Sequence, residues 1–530
     1  MKTIRRILTL FLAVLVMIVS AGFSGCGKKS MPDPIDDNYR TFYQVFVGSF
    51  SDSDGDGIGD IRGIINRFDY LNDGDINSGK SLGIQGIWLS PIFSSPSYHK
   101  YDTTNYYKID QRFGTEEDLK ELIELCHERN VKLILDVAIN HTSEQHSWFM
   151  NFKDARKKGD TENKYFDYYT AVSSDEQVQG RTYQNIAGTD CWFECNFSGS
   201  MPELNFDNDE VRAETLNIAK YYLDLGIDGF RFDAIKYIYY GDTKATVDFW
   251  EWYMAELRKI KPDIYCVGEC WSGDTEIIEY YGAMDCFGFA FSQQEGVIAN
   301  TAKGTSYVAN YTNYVESWQK RINEKNPDAM VMSFLSNHDM DRIAGTFIVE
   351  NNMRMAANLN ILTPGSPFIY YGEEIGMRGS RGSANTDANR RLAMLWGDDD
   401  MIKNPIGANY SEEKQIKTTV AEQIEDENSL YNYYCKLISI RHKYAAIARG
   451  AYKSVGTSDK NLGGFLVEYK DEKLCIMHNT STSEISYDLA ECSALSGDIP
   501  AKLCDFIGVG TAKLDGTVLT IGPQTSVILK

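Results

Sequence analysis

The chain has 530 residues, of which 43% are hydrophobic and 12% are aromatic, so it can bury sizeable cores and is not a disordered protein. At about 150 residues per domain, this length predicts about three domains and argues against a single small binding module. The 75 acidic and 53 basic residues give a net charge of −22. Such a charge repels phosphate backbones and anionic lipid, which disfavours nucleic-acid binding and favours a neutral partner or metal cations.

The first 25 residues have the pattern of a bacterial lipoprotein signal peptide. Basic residues precede an apolar run over residues 7–19, which is too short for an ordinary spanning helix, and small residues then lead to Cys26. We therefore predict export, lipid attachment at Cys26 and tethering to a membrane at the cell surface. Secretion after ordinary cleavage is the alternative. The polar, proline-bearing residues 26–38 are predicted to form a linker.

A repeating pattern of strands and helices begins at residue 41. Short apolar runs rich in β-forming residues alternate with segments of helical periodicity, which is typical of a parallel sheet built from βα units. These runs cover residues 41–48, 83–91, 131–140, 226–235, 263–269, 285–291, 329–337 and 366–372. The expected fold class is α/β, with residues 39–142 and 207–446 forming a (β/α)₈ barrel whose chemistry lies at the carboxyl ends of its strands.

Two segments depart from this repeat. Residues 143–206 are polar, aromatic and irregular, and they are predicted to form a subdomain inserted after the third strand. Residues 447–530 contain short alternating strands and are predicted to form a C-terminal all-β sandwich domain.

Of the cysteines that follow Cys26, Cys191 and Cys195 are the favoured disulfide pair, because they flank one short loop segment in an exported chain.

Carboxylates collect at the ends of the predicted barrel strands. Asp233 ends the fourth strand, Glu269 the fifth and Asp339 the seventh, so the three side chains are expected to converge at the barrel mouth. Two carboxylates that flank a glycosidic bond can supply a nucleophile and a general acid/base. Arg231, on the same face as Asp233, would hold that aspartate ionised. Each carboxylate alone could instead cap the following helix.

An acidic segment follows the first strand. Its possible oxygen ligands occupy positions 1, 3, 5, 7 and 9 of an EF-hand-like loop, the seventh through a backbone carbonyl: Asp52, Asp54, Asp56, Ile58 and Asp60. The bidentate glutamate of a true EF-hand is missing. Four aspartates in nine residues repel one another unless a cation is present, so this loop predicts a Ca²⁺ site. A solvated acidic turn is the alternative.

Four motifs together resemble a known family. DVAINH (136–141), GFRFDAIKY (229–237), VGE (267–269) and SNHD (336–339) are similar, in order and spacing, to the four conserved regions of glycoside hydrolase family 13, the α-amylase family. GIWLSPIF (86–93), MPELN (201–205) and GSPFIYYGEEIGM (365–377) agree with it. The resemblance covers residues 39–530. Its motifs are closest to bacterial lipoprotein-type α-amylases with an MPDLN-like fifth region.

The resemblance implies roles for individual residues. Asp233 would be the nucleophile, Glu269 the general acid/base, and Asp339 the residue that stabilises the transition state. The implied substrate-binding residues are Tyr98, His99, Tyr101, His141, Arg231, Lys236 and His338. Members with the acidic loop bind Ca²⁺ there. A second calcium site typical of α-amylases would use Asn140. Tyr237 stands where many members have His, so the resemblance does not decide whether this second site is present.

The resemblance also bears on specificity. Tyr98 stands where exo-acting α-glucosidases of the family commonly have a pocket-closing aspartate, which favours an endo-acting α-amylase that cleaves α-1,4 bonds of starch and maltooligosaccharides. Ala234 and Lys236 agree with α-1,4 specificity. The MPELN segment keeps α-glucosidase, oligo-1,6-glucosidase and neopullulanase as alternatives. A non-catalytic glucan-binding lipoprotein is a more distant alternative, because all three carboxylates are present.

Overall fold

A computed structural model describes residues 37–75, 78–347 and 349–530. The predicted signal peptide, the predicted lipid-attachment residue Cys26 and nearly all of the predicted linker lie outside the described residues. Within those three ranges, no helix is long and apolar enough to cross a membrane.

The strands and helices are numbered separately along the chain. The strands are β1 (Phe42–Val45), β2 (Gly86–Leu89), β3 (Phe93–Ser94), β4 (Asn105–Ile109), β5 (Lys132–Val137), β6 (Ala171–Val172), β7 (Tyr183–Asn185), β8 (Trp192–Glu194), β9 (Gly229–Phe232), β10 (Tyr265–Gly268), β11 (Asp285–Cys286), β12 (Phe368–Tyr370), β13 (Ala451–Gly456), β14 (Leu462–Tyr469), β15 (Glu472–Asn479), β16 (Ile485–Asp488), β17 (Leu503–Gly508), β18 (Ala512–Asp515), β19 (Val518–Ile521) and β20 (Thr525–Leu529). The α-helices are α1 (Ile61–Asn66), α2 (Phe68–Leu71), α3 (Glu116–Glu128), α4 (Ser147–Lys158), α5 (Asp209–Leu225), α6 (Thr243–Ile260), α7 (Asp274–Ile277), α8 (Val297–Ala302), α9 (Val308–Lys325), α10 (Glu350–Ile361), α11 (Val420–Glu425), α12 (Leu430–Lys443) and α13 (Ala445–Arg449).

A parallel barrel forms the centre of the molecule. Strands pair in the order β11, β10, β9, β5, β2, β1, β12, and every pairing is parallel. The segment around residues 330–335 closes the ring through two parallel bridges, Phe287 with Met332 and Phe334 with Phe368. The barrel strands β1, β2, β9 and β10 are buried on both faces, because helices cover a barrel's outside and side chains fill its inside. The predicted α/β barrel class is confirmed.

Capping residues at the helix termini explain where the helices begin and end. Thr115 and Asp118 form a capping box at α3, which satisfies backbone N–H groups that have no partner within the helix. The Asn208 side chain caps α5, and α5 ends at Gly226 in the left-handed conformation, which glycine adopts at little cost. Such caps fix where these helices begin and end.

The predicted insertion, residues 143–206, contains α4 and a small antiparallel sheet in the order β6, β8, β7. It is attached to the carboxyl end of β5. The Leu204 N–H donates to the Asn140 carbonyl at 2.8 Å, and His141 pairs with Glu203 in an isolated bridge. The end of the insertion therefore lies beside the barrel mouth.

After α13 the chain forms two antiparallel sheets, with strand orders β13, β14, β15, β20, β17 and β16, β19, β18. Apolar side chains from both sheets, including Leu466, Met477, Leu519 and Ile521, share one buried cluster. A sheet-on-sheet core of this kind is typical of a β-sandwich. The structure thus has the expected C-terminal β domain.

The predicted disulfide between Cys191 and Cys195 is wrong. Both are free thiols, as are the other eight cysteines of the described ranges. The two residues lie at opposite ends of the extended strand β8. Residues four apart along a strand are separated by about 13 Å, far beyond the Cα separation that a disulfide permits.

Candidate active site

The carboxyl ends of the barrel strands surround a cavity of about 890 Å³. It contains the three predicted carboxylates, Asp233, Glu269 and Asp339. The other residues that line it are Tyr98, His99, Tyr101, His141, Phe197, Ser198, Met201, Ala234, Lys236, Tyr237, Trp271, Arg381, Asn385, Thr386, Asp387, Arg390 and Arg391. The fold therefore brings together side chains from six barrel loops and from the insertion.

Asp233 directly follows β9 and is held by a buried arginine. Its backbone N–H donates to the Val137 carbonyl at 3.0 Å, which continues the pairing of β9 with β5. Arg231 Nη1 donates to Asp233 Oδ1 at 2.6 Å and to Asp136 Oδ1 at 2.8 Å. Arg231 is fully buried, so this guanidinium provides a fixed positive charge behind Asp233.

Glu269 directly follows β10 and lies on the other side of Arg231. Its Oε2 accepts the Ala234 N–H at 2.9 Å and lies 3.9 Å from Arg231 Nη2. Ala234 has a left-handed backbone, with φ 48°, which turns this N–H towards Glu269. Burial raises the pKa of Glu269 to about 7, with Asp233 and Asp339 adding to the shift and Arg231 opposing it. A carboxyl with this pKa can hold a proton near neutral pH.

Asp339 has a different environment. Arg391 Nη2 donates to its Oδ1 at 2.7 Å, and His338 Nε2 lies 3.0 Å from its Oδ2. Burial alone would raise the pKa of Asp339, but His338 and Arg391 outweigh this effect and hold that pKa well below its usual range. Asp339 is therefore a carboxylate at any physiological pH.

A buried hydrogen-bond network fixes Tyr101 and His338. The Tyr101 hydroxyl donates to Asp136 Oδ2 at 2.8 Å and also contacts His338 Nε2. The side-chain Nε2 of Gln44, on β1, lies 2.8 Å from His338 Nδ1. The Tyr101 and His338 rings are nearly parallel, with centroids 5.4 Å apart. Tyr101 lines the cavity, whereas His338 is fully buried behind it.

The remaining predicted substrate-binding residues separate into two groups. His141, Tyr98, His99 and Lys236 line the cavity, as expected for residues that contact substrate. Arg231, like His338, is buried behind the cavity wall.

The two cavity-lining histidines carry no charge at neutral pH. Burial, reinforced by Arg391, lowers the pKa of His99 to about 4. Burial also lowers the pKa of His141. Both rings can therefore exchange hydrogen bonds with neutral hydroxyl groups without adding positive charge to the cavity.

Sequence reasoning missed the loop after β12. Arg391 Nη1 donates to the Tyr98 hydroxyl at 3.1 Å, and its Nε donates to the His338 carbonyl at 2.9 Å. One arginine thus joins Tyr98, His338 and Asp339. The four arginines and one aspartate within residues 378–391 are the signal that could have indicated this loop. An exposed aromatic rim formed by Phe197 and Trp271, each 43% exposed, was also missed.

The acidic loop brings together three of its four aspartates. Oxygen atoms of Asp52, Asp54 and Asp60 all lie within 4.8 Å of one another, as one shared cation requires. Asp56 lies outside this group and accepts the Ile58 N–H at 2.7 Å. Asp60 also caps α1 by accepting the Gly63 N–H. Carboxylate oxygens are the ligands that hard cations prefer, so this donor set fits Ca²⁺.

A family model matches most of the chain. Residues 44–450 match the family model described as "Alpha amylase, catalytic domain". The barrel, the carboxylates at its mouth and this match define the class as a glycoside hydrolase.

Its relatives extend over nearly the whole chain. "Alpha-amylase 3" of Dictyoglomus thermophilum is 36% identical over 495 residues, which cover 92% of this chain and 92% of that protein. An "Oligo-1,6-glucosidase" of Bacillus cereus is 29% identical and covers 85% of this chain and 91% of the relative. The solved structure of Eubacterium rectale Amy13B is 36% identical, with a TM-score of 0.85 and coverage of 94% and 96%. The chain belongs to the α-amylase family, glycoside hydrolase family 13.

Proposed function

We propose that the protein is a retaining, endo-acting α-amylase that hydrolyses α-1,4-glucosidic bonds of starch and maltooligosaccharides. The observation that carries this proposal is the difference between two carboxylates in one cavity. Asp233 is ion-paired to Arg231 at 2.6 Å, whereas burial raises the pKa of Glu269 to about 7. One group is suited to attack as an anion and the other to donate a proton.

The first step forms a covalent intermediate. The Asp233 carboxylate attacks C1 of the sugar while Glu269 protonates the glycosidic oxygen, so the bond from C1 to that oxygen breaks and the shortened chain leaves. The Asp339 carboxylate, held by Arg391, accepts hydrogen bonds from sugar hydroxyls and stabilises the positive charge that develops on the ring.

The second step releases the sugar. The Glu269 carboxylate now takes a proton from water, and the water oxygen bonds to C1 as the ester bond to Asp233 breaks. Two inversions at C1 give net retention. Tyr101 offers an aromatic face against which the apolar side of a pyranose can pack, and neutral His141 can hydrogen-bond a hydroxyl.

Substitution of the carboxylates tests the mechanism. Asp233→Asn and Glu269→Gln should each lower the release of reducing sugar from soluble starch by about 10³-fold or more. Asp285→Asn is the matched control, because Asp285 is a partly buried carboxylate at the start of β11 that does not line the cavity. Parent-like rates for Asp233→Asn would refute the proposal, and NMR of the first product should show the α-anomer.

Internal cleavage is supported by Tyr98, whose ring and hydroxyl occupy the wall where an aspartate would close the cavity. The MPELN segment and the oligo-1,6-glucosidase relative favour a second candidate, an exo- or α-1,6-acting hydrolase of the same family. A timed product profile on amylose, pullulan and maltotetraose separates them. Mixed maltooligosaccharides at the first time points are expected, and glucose alone would contradict endo action.

We further propose a Ca²⁺ ion in the acidic loop and a lipid tether at Cys26. The calcium site is supported by the three carboxylates whose oxygens lie within 4.8 Å of one another. The lipid tether is supported by the signal-peptide pattern. The tether predicts incorporation of labelled palmitate that is lost in Cys26→Ser. Absence of label from the parent protein would leave secretion as the alternative.

A further inference from the structure

A second group of charged side chains lies where the inserted subdomain meets the barrel. Arg181, just before β7, donates through Nη1 to Glu194 Oε2 at 3.0 Å. Through Nη2 it donates to the Tyr240 carbonyl, in the loop that follows Asp233. The Glu194 side chain is only 4% exposed. One guanidinium therefore joins the insertion to a loop of the active site.

From Glu194, polar contacts continue into the barrel. Asn196 Nδ2 donates to Glu194 Oε1 at 2.6 Å, and the Asn196 backbone N–H donates to Glu203 Oε1 at 3.1 Å. Asn140 Nδ2 donates to Glu203 Oε2 at 3.4 Å and lies 2.9 Å from His141 Nδ1. The chain of contacts that begins at Arg181 thus ends at His141, which lines the catalytic cavity.

The carboxylate oxygens at this junction have protein partners without a metal ion. Both oxygens of Glu194 and both oxygens of Glu203 accept hydrogen bonds from protein donors. The Arg181 guanidinium faces the buried Glu194 carboxylate, as a stable buried pair requires. A divalent ion would add two positive charges beside that guanidinium. In the described part of the chain, three metal-ligating acidic, His or Cys side chains share one space only at Asp52, Asp54 and Asp60.

The arrangement does not fit the second calcium ion that the resemblance leaves open at Asn140. We propose instead that Arg181 is the fixed cation of this junction and a positioning residue for the wall of the catalytic cavity. Tyr240, which it holds, stacks on Tyr237 with centroids 4.6 Å apart and planes within 7°. Tyr237 packs on Phe197 at 4.5 Å, and both of these rings line the cavity.

Calcium binding tests the first half of the proposal. Asn140 Oδ1 is buried with no hydrogen-bond partner among the described residues, so it is an atom that a calcium ion would use. Equilibrium dialysis of the Asp52→Asn/Asp54→Asn double variant against Ca²⁺ alone removes the acidic loop from the measurement. No bound ion is expected, and one ion per chain would overturn the proposal.

Variants of Arg181 test the second half. Arg181→Ala leaves Glu194 buried without its cation, and we expect Tm to fall by about 3–8 °C with or without added Ca²⁺. Arg181→Lys keeps the charge and should recover part of this loss. Arg156→Ala is the matched control, because Arg156 pairs with the exposed Asp167 inside the same subdomain. A Tm for Arg181→Ala equal to that of the parent would overturn the proposal.

Kinetics separate positioning from general stability. Through Tyr240 and Tyr237, Arg181→Ala should raise KM for maltoheptaose about 3- to 10-fold and change kcat less, whereas Arg156→Ala should leave KM unchanged. Equal KM values for parent and Arg181→Ala would contradict the positioning role. This kinetic readout rests on the proposed function, but the dialysis and Tm measurements do not, so the two failures are distinguishable.

Discussion

At the scale of single residues, one buried arginine gives two neighbouring carboxylates different properties. Arg231 Nη1 lies 2.6 Å from Asp233, whereas its Nη2 lies 3.9 Å from Glu269, so of these two carboxylates only Asp233 accepts a hydrogen bond from it. Burial then dominates at Glu269 and raises its pKa to about 7. Both residue types have similar pKa values in water, so the tertiary environment, not the residue type, assigns the acid and the nucleophile.

The raised pKa of Glu269 predicts the alkaline side of the pH profile. Glu269 must be protonated for the first step, so activity is present below its pKa and lost as the pH rises through about 7. Measurement of kcat against pH with maltoheptaose checks this. With an aryl maltooligosaccharide, whose leaving group needs no proton, kcat should no longer fall at alkaline pH. A kcat for maltoheptaose that stays constant up to pH 9 would contradict the role of Glu269.

Tyr98 provides a second test at this scale. Its hydroxyl accepts a hydrogen bond from Arg391, which also holds Asp339. Tyr98→Asp places a carboxylate beside Arg391, and we expect glucose among early products of amylose to rise about threefold or more. Tyr98→Phe keeps the ring and should keep the parent product pattern. Identical product profiles for Tyr98→Asp and the parent would show that this position does not control the cleavage mode.

At the scale of elements, the active site depends on where strands end. Asp233 and Glu269 follow β9 and β10 directly, and the parallel pairing of these strands brings their carboxyl ends side by side. The acidic loop after β1 shows the same principle with a different result. Its turn brings Asp52, Asp54 and Asp60 together while Asp56 turns away.

The loop geometry gives a sharp calcium prediction. Asp54→Asn should reduce the rise in Tm that Ca²⁺ produces, because it removes charge from the shared group, whereas Asp56→Asn should retain that rise. Calcium at 100 times its Kd adds about 2.7 kcal/mol, which a thermal melt resolves. Asp60 is unsuitable for the test because it also caps α1. A parent Tm that is unchanged by excess chelator would remove the calcium site.

At the scale of the whole molecule, the C-terminal domain shares the barrel's core. Gln319 on α9 donates to the Gly450 carbonyl and accepts the Tyr452 N–H, both at 2.9 Å. Phe465 and Ile476 of the sandwich are buried in the same apolar cluster as the barrel. The apolar cluster between the two sheets of the sandwich is separate from it. The barrel therefore needs part of this domain to cover its surface.

Truncation tests that dependence. Removal of residues 451–530 exposes the apolar faces of α9 and α13, and we expect loss of soluble protein or of a cooperative thermal transition. Phe506→Ser is the control within the same domain, because Phe506 is 45% exposed and should leave Tm within about 1 °C. A truncated protein that melts like the parent would show that the barrel is independent.

The sequence by itself determined the barrel, the insertion, the β domain and the three carboxylates, because those features are local. Strand periodicity, and the position of Asp233, Glu269 or Asp339 at the end of a run, can be read within a few residues. Only the tertiary structure decided which partners tune them. Arg391 reaches Tyr98 across 293 positions, and Arg181 reaches Tyr240 across 59. Contacts at such separations depend on how whole elements pack, and no local pattern encodes them.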